Sequence, residues 1–61
     1  MTALSHDDLV AIQLLARDAL YAGEQASEAR DVGAHHEADD LEAERRCAIA
    51  QMYKILGVEP P

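Results

Sequence analysis

Residues 24–44, EQASEARDVGAHHEADDLEAE, decide how this chain is read. They carry Glu24, Glu28, Asp31, Glu37, Asp39, Asp40, Glu42 and Glu44 against a single base, Arg30, and so hold the whole net charge of -7. The remaining acids, Asp7, Asp8, Asp18 and Glu59, are matched in number by Arg17, Arg45, Arg46 and Lys54. Asp31-Val32-Gly33, in the middle of the stretch, is the one interior turn signal, because the helical period stops at Gly33 and glycine is the usual residue just past a helix end. A chain folded there places its acid at one tip and its large apolar residues at the other.

Upstream of the turn, the spacing Ile12, Leu15, Ala19, Ala22, Ala26, Ala29 alternates between three and four and predicts a helix seam. The helix starts at Leu4-Ser5-His6-Asp7-Asp8-Leu9. Ser5 is the expected N-cap, Asp8 its reciprocal partner, and Leu4 against Leu9 the hydrophobic staple. Beyond Tyr21 the seam is alanine only, which lets a second helix approach closely. Gly23 costs about 1 kcal/mol inside a helix, yet the period runs through it in phase.

Downstream, Ala34, Ala38, Leu41, Ala48, Met52 and Ile55 keep helical spacing, with Arg45 as the interruption and no Ser or Thr at the start. Gly57-Val58 suits a Schellman stop with Val58 folding back on Tyr53, and Pro60-Pro61 prevents continuation. The expectation is all-α: a single helical-hairpin domain over residues 1–61, with a helix at about 5–31, a turn at about 32–34 and a helix at about 35–56. The competing fold is one helix continuous through Gly33, paired as a long coiled coil.

A chain of 61 residues has a marginal core. One cysteine excludes an intrachain disulfide framework, which leaves oligomerisation as the supplement. Both helices are apolar over more than one face at the open end. A homodimer forming a four-helix bundle is therefore expected, with Leu9, Ile12, Leu15, Ile49, Met52, Ile55 and Leu56 as its core.

Charge narrows the partners. A sequence pI near 4.6 argues against direct nucleic-acid or anionic-membrane binding and favours a larger protein with a basic surface. No apolar run reaches the roughly 18 residues of a membrane span, and Met1-Thr2-Ala3-Leu4 lacks a basic region followed by an apolar one, so a cytoplasmic location is expected.

Several groupings could carry chemistry. His36, Asp40, Glu44 and Cys47 share a helix face at steps of four, four and three, but four ligands in line on a straight helix cannot surround a tetrahedral ion. A solvated acidic face is the simpler reading. Glu28-Ala29-Arg30-Asp31 and Glu37-Ala38-Asp39-Asp40 look like the Glu-x-x-Asp elements with which all-α nucleotide pyrophosphatases hold magnesium, yet they straddle the turn with five residues between them and lack a base placed for phosphate. Cys47 reads as a small packing residue. No catalytic residue, metal or cofactor is expected.

In size, acidity, lack of catalytic residues and hairpin pattern the chain resembles the small phage-encoded proteins that inhibit host machinery, among them anti-activators of transcriptional regulators and anti-CRISPR proteins that imitate nucleic acid. The resemblance implies inhibition by binding. On the charge layout, the partner-binding residues are Glu24, Glu28, Asp31, Glu37, Asp39 and Asp40, with Tyr21 and Tyr53 as anchors at a partly buried rim. The alternatives are a structural or adaptor bundle docking through exposed apolar residues such as Val10, Leu14, Tyr53 or Val58, and a metal-binding or nucleotide-processing helical protein.

Overall fold

A computed structural model, which describes residues 3–59, contains two helices, α1 (His6–Asp31) and α2 (His35–Leu56), packed against each other as a hairpin. Among the described residues there is no strand. The Pro60-Pro61 stop lies outside the described residues.

Local chemistry accounts for each helix end. The Asp8 amide donates to Ser5 Oγ at 3.1 Å and the Ser5 amide donates to Asp8 Oδ2 at 3.3 Å, which is the reciprocal capping box the sequence predicts. Both C-termini close with the same pair of bonds. After α1, Ala34 N–H donates to the Ala29 carbonyl (2.8 Å) and Gly33 N–H to that of Arg30 (3.1 Å); after α2, Val58 N–H donates to Tyr53 and Gly57 N–H to Lys54, both at 3.2 Å. This is the Schellman arrangement. It needs a left-handed residue at the reversal, which Gly33 (φ +82°) and Gly57 (φ +73°) supply. The start of α2 at Ala34 has no side-chain cap.

The seam between the helices is built from methyl groups. Ala19, Ala22, Ala26 and Ala29 of α1 and Ala38 and Ala48 of α2 are buried, with Ala26 and Ala38 at 0 % exposure. Among the described residues no larger side chain is fully buried. Ile12, Leu15, Ile49, Met52 and Ile55 are half-buried, whereas Leu9 and Leu56 stay exposed, so the large apolar residues at the open end do not close a core within one chain.

The resulting slab measures 45 × 21 × 11 Å, about one helix thick. Its radius of gyration is 13.6 Å, against about 10.5 Å for a compact chain of this length.

Arg45, the interruption in the α2 seam, is accommodated by Gly23. A Cβ built on Gly23 would lie 3.4 Å from Arg45 Cδ and 3.5 Å from its Nε. The arginine stem thus crosses the seam over the glycine, while the residue as a whole remains exposed. Because 3.4 Å is ordinary van der Waals contact, Gly23→Ala gains helix propensity without a clash and is expected to stabilise by up to about 1 kcal/mol. In a thermal melt that is a rise of about 4–8 °C. Gly23→Leu displaces the arginine and lowers the midpoint instead.

Candidate functional site

Helical spacing gives the slab two unlike broad sides. On α1, Leu15, Asp18, Ala22, Gln25 and Ala29 advance in steps of three and four, with Val32 just past the helix end continuing the row; on α2, Glu37, Leu41, Glu44, Ala48 and Gln51 do the same. These two rows border one groove between the helices. It consists of three adjoining depressions of about 410, 320 and 260 Å³; Tyr21 borders the first and second, and Gln25, Glu37 and Leu41 border the second and third.

The groove floor is apolar. Ala22, Ala29 and Ala48 are buried there, and Leu15 and Leu41 are half-buried. Five exposed carboxylates stand around it: Asp18, Glu28, Glu37, Asp40 and Glu44. No Lys, Arg or His lines any of the three depressions. Tyr21, 64 % exposed, offers its ring at the junction of the first two.

The other side is charge-balanced. Arg30 Nη1 donates to Glu42 Oε1 at 3.0 Å, joining α1 to α2 across the seam. The hydrogen bond from Arg30, and then its charge, hold the Glu42 carboxyl below the ordinary range, and the same contacts raise Arg30. Because Glu42 is depressed in the folded state, its contribution to stability is present above the unfolded carboxylate range and is lost as pH falls through the lowered value. Melting midpoints of wild type and Glu42→Gln should accordingly differ at neutral pH and converge in acid. The pair is solvent-exposed, so the difference is small.

The predicted partner-binding residues divide between these surfaces. Glu28, Glu37, Asp40 and Tyr21 border the groove, whereas Glu24, Asp31 and Asp39 are exposed but do not line it. Tyr53 is half-buried at the open end, beside Ile49, Met52 and Leu56 in a separate depression of about 230 Å³. Of the residues expected in a dimer core, Leu15 lies in the groove and Ile49, Met52 and Leu56 border that open-end depression. Cys47 corrects the sequence reading: one position and about 100° from the seam residue Ala48, it is exposed and lines the groove rather than packing between helices.

Sequence reasoning missed Asp18, Gln25, Leu41 and Glu44 as site residues. The signal was present in the steps of three and four that link Asp18, Tyr21, Gln25 and Glu28. Counting acids against bases along the chain hides Asp18, whereas no base lines the groove around it.

No protein-family model matches this chain. Nor does any curated protein or solved structure. Among the described residues no three His, Cys, Asp or Glu side chains are grouped so as to hold a metal ion, and no helix is long and apolar enough to cross a membrane. Geometry and charge therefore carry the functional reading.

Proposed function

We propose that this chain is a small non-enzymatic acidic homodimer that acts in the cytoplasm by binding a larger host protein, a transcriptional regulator or other nucleic-acid-binding protein, and inhibiting it in the manner of phage anti-activators. The observation that carries the reading is the concentration of the whole net charge in residues 24–44, at the turn end of a slab whose apolar surface is uncovered. Acid merely needed for solubility works equally well spread over a surface. Acid gathered at one end complements a basic surface such as a DNA-binding groove.

Area supports the second copy. The chain exposes 4934 Å², whereas a compact protein of its mass exposes about 3,900 Å². Burying the surplus of roughly 1,000 Å² on each of two chains gives the size of an obligate dimer interface. Leu9, Leu20 and Leu56, all exposed, are available for it.

The test is affinity capture from a lysate of the host cell at low and high salt, followed by a gel-shift assay of whatever nucleic-acid-binding protein is retained. The reading expects capture that is lost at high salt, release of DNA from the captured protein, and loss of both on replacing Glu37, Asp39 and Asp40 by Ser. Capture indifferent to salt and to those three substitutions overturns it. A second reading, an adaptor tethering partners through apolar contacts, is favoured by Leu14 and Leu20, which are 55 % and 67 % exposed and point about 120° apart on α1.

A further inference from the structure

We infer that the acidic groove between α1 and α2 is the seat of a basic amphipathic helix supplied by the partner. The inference rests on the proposed function in that the partner is a protein with a basic surface, and it names the element of that partner and the side of this chain that receives it.

Three features of the groove fit this occupant together. Its buried and half-buried apolar lining runs from Leu15 through Ala22 to Ala29, about 21 Å along α1, which matches four turns of a third helix. Such a helix anchors apolar residues at i, i+3 or i+4, and i+7 in a groove of this kind. Carboxylates stand on both banks, Asp18 and Glu28 on α1 and Glu37, Asp40 and Glu44 on α2. Lys or Arg flanking the apolar stripe of the incoming helix would meet acid on either side, and the exposed Tyr21 ring can accept a cation on its face.

The same charges exclude the other occupants. A second copy seated here about a two-fold axis would bring these five carboxylates against an identical five, because a two-fold interface presents the same patch twice. Nucleic acid would be repelled by them. The opposite side, with the Arg30–Glu42 pair, Leu20 and Tyr53, has no such surplus and is left for the dimer contact.

The experiment titrates the protein with a synthetic helical peptide of about 18 residues, Leu on one face and Lys on the flanks, alongside a control in which every Lys is Glu. Binding is followed by fluorescence anisotropy and by amide chemical shifts. The Lys peptide is expected to bind and to shift the amides of Ala22, Gln25, Leu41 and Ala48, and the Glu peptide not to bind. Replacing Asp18, Glu37, Asp40 and Glu44 by their amides weakens the Lys peptide at least about tenfold. Replacing Asp7, Glu24, Asp31 and Glu59 by theirs removes the same charge from positions that do not line the groove and changes binding by less than about twofold. Circular dichroism confirms that each variant keeps its helices.

Equal weakening by the two sets overturns the inference in favour of diffuse attraction to an acidic protein. So does a shift pattern confined to the Leu20 and Tyr53 side, or one in which dilution of the peptide-free protein moves the groove amides. Failure here with salt-sensitive capture intact would remove the groove as the site and leave the proposed function standing. Failure of capture with the peptide seated in the groove would do the reverse.

Discussion

Leucine in place of Ala26 or Ala38 is expected to abolish the folded hairpin. Both positions are at 0 % exposure and belong to the buried seam between the helices. Three extra carbons at either point push the helices apart, and because the buried core is six alanines, that separation loosens contacts along the whole seam. Overpacking of this kind costs about 1–3 kcal/mol, and more where nothing can yield. A domain of this length has only about 3–9 kcal/mol in total, much of which this account assigns to the second chain. Loss of helical circular dichroism is the readout. Ala43→Leu, at an exposed position of α2, serves as the control and should leave the helices in place.

Leu20→Asp separates the monomeric from the dimeric molecule. In a lone hairpin this leucine is 67 % exposed, and aspartate there would cost little beyond helix propensity. In a dimer using that side, the substitution removes about 1.5–3 kcal/mol of burial from each chain and places a charge in an apolar contact. Counted twice by symmetry, this weakens association by about two to four powers of ten. For the proposed dimer, in which folding would be linked to assembly, the melting midpoint of wild type should fall on dilution. The variant should melt lower and lose that dependence on concentration.

The parts of the fold legible in the sequence are those determined within a turn of helix. Ser5 and Asp8 form their capping box from residues three apart, and Gly33 and Gly57 mark reversals that demand a positive φ. The alanine seam was legible because its period survives Gly23 unbroken. What could not be read depends on the register of one helix against the other. Gly23 looks like a defect until it is opposite Arg45, and Arg45 like an interruption until it is over Gly23. Arg30, the one base of the acidic stretch, finds Glu42 twelve positions away across the turn. The acids followed the same rule: counted along the chain they form a tip, but wound on two helices they split, with Glu28, Glu37 and Asp40 joining Asp18 and Glu44 around the groove and Glu24, Asp31 and Asp39 outside it. Cys47 was misread for a related reason, since its neighbour Ala48 takes the buried position.

A bundle of two hairpins with its acidic grooves facing outward depends above all on there being two chains. Sedimentation equilibrium of the purified protein tests that directly. The expected result is a mass twice the 6.6 kDa of the chain, dissociating only on strong dilution and then with loss of helix. A species of 6.6 kDa that keeps its helices at every concentration would contradict it, and would mean that an alanine seam alone holds the hairpin together.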